Sequence, residues 1–110
     1  MATEEKVTTR PDRRPAHPGA ILRRRVLPAV EAQGVAKAEL ARRLGIKRQT
    51  LYDLLNEKRA VTPDTAARLS RCVGGSAAFW LNLQMQHELW EAERNPALAS
   101  IERLEIPAAA

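Results

Sequence analysis

Cysteine is nearly absent from this sequence. Cys72 stands alone among 110 residues, so the chain cannot close a disulfide on itself. Aromatics are few as well, two Trp, one Tyr and one Phe, which leaves the core to Leu, Ile, Val and Ala. Such a palette favours small packed helices over a β-sandwich. No apolar run approaches the ~20 residues that a bilayer-spanning helix needs. Met1 to Pro18 is polar and has no apolar centre, so no signal peptide is expected and the cytoplasm is the default location. With two histidines and one cysteine, metal-ligand spacing is missing, and no metal or other cofactor is expected. No Ser/His/Asp constellation, paired carboxylates or glycine-rich phosphate loop appears, so nothing supports an enzyme. Glu91 and Glu93 read as solvated helix charges.

What the chain does have is positive charge in one place. The net charge is +5, and the isoelectric point is about 10.1. Between Pro18 and Ala60, ten Lys/Arg face four acids; from Val61 to Ala110, four face six. A basic field confined to one part of a fold suits nucleic acid, and it suits an ordinary solvated surface equally well. Charge alone does not separate the two.

The length allows one domain with one modest core. Residues 1–15 are charged and poor in large apolar side chains, and are expected to form a disordered leader. Residues 16–94 are expected to form the folded domain and 95–110 a short tail, frayed from Pro107 to Ala110. Five helices are expected, with no sheet. The first runs from Pro18 to Val26 with Ile21, Leu22 and Val26 inward; Pro28 should stop it and push Leu27 towards an extended conformation. The second is Lys37 to Leu44, ended by Gly45, and the third is Arg48 to Leu55, closed by Asn56. Thr62 and Pro63 open the fourth, which Gly74 ends. The fifth starts at Ser76 and runs to about Glu93. Leu98, Ile101, Leu104 and Ile106 fit a short helix or a strand equally. Cys72 reads as a small buried or half-buried residue, His17 as a possible cap of the first helix, and His87 as partly exposed or at a dimer contact.

The segment Lys37 to Asn56 has the grammar of a helix-turn-helix. Two short helices that cross closely need a small residue at the crossing, and Ala41 supplies it. The tight turn needs a residue tolerant of positive φ, supplied by Gly45. Ile46 plugs the corner, and Leu40, Leu44, Leu51 and Leu54 make the shared core. Arg48, Gln49, Tyr52 and Asp53 are then free to reach base edges in the major groove. Arginine can grip guanine with two hydrogen bonds, and glutamine can do the same with adenine. Asp53 either accepts from a cytosine amino group or pairs with Arg48 or Arg25 to orient them. Lys37, Lys47, Thr50, Asn56, Lys58 and Arg59 suit the phosphate backbone.

Several motifs resemble HigA-type antitoxins, within the lambda-repressor-like (Xre) group. They are His17-Pro18-Gly19-Ala20-Ile21-Leu22, Leu40-Ala41-Arg42-Arg43-Leu44-Gly45-Ile46, Arg48-Gln49-Thr50-Leu51, Thr62-Pro63 with Ala66, Arg68 and Leu69, and Phe79-Trp80-Leu81-Asn82-Leu83-Gln84. The resemblance spans about residues 17 to 92. It implies a homodimer that binds a palindromic operator and represses its own operon. It also implies that the protein neutralises a HigB-like, RelE-family toxin that cleaves mRNA, and that it is not itself an enzyme. The chain departs from the family at Ala36 and Lys47, where relatives often carry a capping Ser or Thr. Losing such a cap typically costs ~1 kcal/mol.

Phe79, Trp80, Leu83, Leu89 and Trp90 exceed what one small core needs, so some of them are expected at a second subunit. One short helix reading one half-site also offers too little specificity alone. Two rival functions remain: a stand-alone Xre-type or phage-type regulator without a toxin, and a toxin-binding adaptor that has lost DNA binding. A neighbouring gene for a small basic protein separates the first rival, and titration against the chain's own promoter separates the second.

Overall fold

The structure, a computed structural model, describes residues 13–107. The expected leader and the Ala-rich end lie largely outside these residues. Five helices follow one another, with no strand among the described residues. The first, α1 (18–32), joins an α-helical turn Pro18–Ile21, a π turn Leu22–Val26 and a second α-helical stretch Leu27–Ala32. The others are α2 (Lys37–Leu44), α3 (Arg48–Leu55), α4 (Pro63–Val73) and α5 (Ala77–Ala92). A 3-10 turn, Pro96–Ser100, follows, and residues 101–106 form no regular structure. The apolar pattern from Leu98 to Ile106 is thus neither a full helix nor a strand.

The first helix corrects one expectation. Pro28 does not stop it, and Leu27 is helical, at φ −58° and ψ −44°, not extended. The π turn explains why. A proline inside an α-helix clashes with the carbonyl four residues back and leaves it without a donor. Here the Leu27 N–H bonds five residues back, to the Leu22 carbonyl. The widened turn accommodates the proline without breaking the helix. His17 caps the start, its Nδ1 accepting from the Gly19 N–H at 2.8 Å.

The core is a single cluster that draws on every helix. Leu22 and Leu27 come from α1, and Leu40, Ala41 and Leu44 from α2. Leu51, Leu54 and Leu55 come from α3, Ala66 and Leu69 from α4, and Trp80 from α5, with Val61 from the intervening loop. Ala41 sits buried at the α2–α3 crossing, and Gly45 takes the left-handed φ of 73° that the turn requires. Thr62 and Ser76 cap α4 and α5 by accepting from Thr65 N–H and Phe79 N–H. Cys72 is exposed, which corrects its expected burial: it sits at the edge of the buried face of α4, lining a surface depression with Val26, Val30 and Val73.

Buried polar groups join the elements across the core. Gln84 is buried, and its Oε1 accepts from the Val61 N–H at 2.8 Å. Its Nε2 donates to Glu88 at 2.8 Å. The Trp80 indole N–H donates to the Gly74 carbonyl at 2.9 Å. Among the described glycines the closest approach lies between α1 and α3, where a Cβ built on Gly19 would stand 1.8 Å from the Leu54 carbonyl oxygen.

Gly19→Ala should therefore invert the usual helix preference. Alanine normally stabilises a helix interior by ~1 kcal/mol over glycine. Here overpacking should cost ~1–3 kcal/mol or more, read as a lower urea midpoint at an unchanged slope. His17 generates a second prediction. Burial, then the neighbouring His87, hold its pKa below the ordinary 6.5. The unfolded chain consequently takes up the proton first as pH falls below that value. Stability is full above pH 6.5 and declines on acidification. In thermal melts from pH 7.5 to 5, His17→Asn, which keeps a capping acceptor, should flatten that decline.

Candidate nucleic-acid interface

Helix α3, the second of the helix-turn-helix pair, is short, so its direction depends on what holds its two ends. At its N-terminus the α2–α3 turn is tied to α4. Arg68 Nη1 donates to the carbonyls of Leu44 at 3.0 Å and Gly45 at 3.2 Å, while its Nε donates to Asp64 at 2.9 Å. At the other end, Glu57 takes a left-handed φ of 62°. The Lys58 N–H returns to the Asp53 carbonyl at 2.7 Å and the Glu57 N–H to the Leu54 carbonyl at 3.1 Å. This is a Schellman closure, with glutamate where glycine is usual. Arg23 donates to the Leu55 carbonyl and, at 3.1 Å, to the Glu57 carboxylate. A guanidinium over the last carbonyls of a helix also suits its dipole.

Arg23, Arg68 and Glu57 were not among the sequence candidates. At helical spacing the run Arg23-Arg24-Arg25 cannot point one way, so some of the three must project away from the core. Which one meets α3 depends on the π turn, and α-helical periodicity does not show that.

The candidates themselves fall into groups. Arg48 and Gln49 are exposed on α3, with Thr50, Tyr52 and Asp53 half-buried beside them. Asp53 accepts from Gln49 Nε2 at 2.9 Å, so its partner in this structure is neither Arg48 nor Arg25. The pair lies one helical turn apart, the spacing at which a carboxylate and an amide meet on one helix face. Lys37, Gln49, Tyr52 and Asn56 come together with Arg23 around a shallow depression of about 330 Å³ floored by Leu27 and Leu55. Lys47 precedes α3, and Lys58 and Arg59 follow it, all exposed. Among the described residues, no carboxylate forms an ion pair with Lys37, Lys47, Arg48, Lys58 or Arg59. Arg42 and Arg43 differ: both bind Glu39, whose carboxyl they hold down to about 2.

The two helices of the pair begin at Ala36 and Lys47, and neither receives a side-chain cap. Their first amides are thus open to another acceptor.

The expected second-subunit residues divide. Phe79 and Leu89 are 46% and 42% exposed, while Leu83 and Trp90 are half-buried. Trp80 is a correction. It is only 2% exposed, and its ring fills the core while its N–H closes the α4–α5 turn, so it has no outward face to offer. Among the described residues no helix is long and apolar enough to cross a membrane, and no three His, Cys, Asp or Glu side chains gather as a metal site would require.

Comparison with known proteins accounts for this geometry. The family model described as Helix-turn-helix matches residues 29–80. Virulence-associated protein I of Dichelobacter nodosus is 38% identical over 79 residues, 72% of this chain and 70% of that protein. The structure of antitoxin GraA in complex with its operator is similar at a TM-score of 0.73 and 36% identity, over 90% of this chain and all of that one. A structure of Pseudomonas aeruginosa antitoxin HigA with the higBA promoter is similar at a TM-score of 0.68 and 36% identity, over 84% of this chain and all of that one. The chain belongs to the HigA-type helix-turn-helix family. That family consists of DNA-binding antitoxins and regulators and not of enzymes. Within it, Arg23 is a residue whose loss this structure makes measurable. Arg23→Ala strips the charged donor from the end of α3 and should cost ~1–3 kcal/mol in urea unfolding. Arg23→Lys should recover only part of that, because one ammonium cannot reproduce the forked contact.

Proposed function

We propose that this HigA-type protein is an antitoxin and autorepressor. As a homodimer it binds a palindromic operator through α3 and represses its own operon. It also neutralises a HigB-like toxin of the RelE type that cleaves mRNA. The observation that carries the DNA half is the exposed Arg48–Gln49 edge of α3, on a fold similar over 90% and 84% of the chain to antitoxins solved with operator or promoter DNA. In this reading Arg48, Gln49, Tyr52 and Asp53 contact base edges. Gln49 must exchange its bond to Asp53 for one to adenine, or the pair reads the groove as a unit.

Lys37, Lys47, Thr50, Asn56, Lys58 and Arg59 serve the backbone, helped by the open amides at the starts of α2 and α3. Lys47 adds a positive charge where relatives often have a neutral cap. Toxin binding rests on the family alone. A DNA partner keeps the protein in the cytoplasm.

Titration of the full chain against DNA from its own promoter tests the proposal. Binding should weaken steeply with salt, since phosphate contacts release counterions. Arg48→Ala with Gln49→Ala should cost ~2–5 kcal/mol on operator and little on random DNA. Lys58→Ala should weaken both equally. Undiminished operator binding by the double variant would defeat the base-contact assignment. For the toxin half, co-expression with the product of the adjacent gene for a small basic protein should restore growth and yield a complex. Failure of both would leave a regulator without a toxin.

A further inference from the structure

A cleft of about 920 Å³ opens where the residues before α1 and the first turns of α1 meet α5. Its polar wall is made by Arg13, Arg14, Arg24, His17, His87 and Glu57. The short segment that closes it is fastened to α5. Arg14 Nε donates to the His87 carbonyl at 3.1 Å, and Arg14 Nη1 pairs with Glu91 at 2.8 Å. The His87 ring bonds in turn to the Pro15 carbonyl, 2.8 Å from its Nδ1. His17 and His87 meet edge to face, with ring centroids 5.0 Å apart. These contacts hold residues 14 and 15 in place and bring Arg13 to the wall of the cleft.

Two cations there are left over. Arg14 is matched by Glu91, and Glu57 by Arg23 at 3.1 Å. Glu88, which also stands near His17, accepts from Gln84. Arg13 and Arg24 are exposed, and among the described residues neither forms an ion pair. Guanidinium groups around one cleft suit phosphate oxygens, which each can grip with two parallel hydrogen bonds. A cleft lined mainly by one sign of charge also concentrates the field that draws an anion in.

The cleft adjoins the proposed DNA surface. Arg23 borders the depression that holds Lys37, Tyr52 and Asn56, while Glu57 borders the cleft. The ion pair between them is thus a wall that the two share. Beyond it the exposed Lys58 follows, and the Arg59 main chain lies beside His17.

We propose that this cleft binds a phosphate of the DNA backbone through Arg13 and Arg24, so that the DNA surface extends from α3 across the Arg23–Glu57 pair to the start of α1. The inference rests on the DNA half of the proposed function and adds two contacts to it. Arg14, held by His87 and Glu91, is the positioning residue for Arg13.

Salt-dependent titration of the full chain with its own promoter duplex and with a random duplex tests this. Arg13→Gln with Arg24→Gln should weaken both by about tenfold at low salt. The slope of log K against log salt should fall by about two per bound protomer. Both side chains are exposed, so the melting temperature should not change. Arg71→Gln with Arg103→Gln removes the same charge from exposed positions outside the cleft, and should alter affinity less than about twofold. If the two double variants weaken binding equally, or if the cleft variant matches the intact chain in affinity and slope, the cleft holds no phosphate of the DNA. Arginine Nε resonances identify the source of the phosphate. Promoter DNA should shift those of Arg13 and Arg24. Shifts with inorganic phosphate but none with DNA would mark a site for a free anion and overturn the proposal. An intact chain that binds no promoter duplex would overturn the proposed function and this inference with it, whereas loss of the cleft effect alone leaves the proposed function standing.

Discussion

The arrangement of this molecule depends on one close approach. The main chain of Gly19 rests against the Leu54 carbonyl, with no room for a methyl group between them. Helix α1 thereby meets α3 backbone to backbone, near the C-terminal end of α3. Four residues on, the π turn carries Arg23 to the Leu55 carbonyl and the Glu57 carboxylate. The same turn accommodates Pro28 and extends α1 to Ala32. One irregularity thus solves a steric problem in α1 and supplies the charged donor that α3 lacks.

The treatment of helix ends divides the molecule in two. The three helices α1, α4 and α5 are capped by their own side chains, His17, Thr62 and Ser76. The two helices of the helix-turn-helix are not, although their C-termini are tightly closed, by Gly45 with Arg68 and by Glu57 with Arg23. Capping typically adds about 1 kcal/mol per helix, so leaving two starts open is a real loss of stability. A phosphate would be the natural acceptor for such amides. Lys37 and Lys47, in no ion pair among the described residues, stand at the same two starts. On the proposed function, stability and binding would draw on different ends of the same short helices.

The sequence made much of this legible, for physical reasons. Periodic leucines, Ala41 and Gly45 specify α2, the turn and α3, because the same residues must fill the crossing and allow the left-handed turn. Thr62-Pro63 and Ser76 mark helix starts because capping is local chemistry. Three features were not legible. The π turn overrode the ordinary meaning of Pro28, since widening one turn is a cooperative adjustment that no single residue announces. Trp80 read as surplus apolar area because the depth of the core between α4 and α5 is a tertiary property. Gln84 and Arg68 carry long-range bonds to main chain 23 or 24 residues away, which spacing along one helix cannot reveal.

The central claim is that α3 and the two open helix starts form the DNA surface. The most direct measurement is an amide chemical-shift titration of the full chain with DNA from its own promoter. The account predicts that the largest shifts gather at Lys37, at Lys47 to Tyr52 and at Asn56 to Arg59, and that they fade as salt is raised. Shifts confined to α5 and residues 96–106, or none at all at low salt, would contradict it.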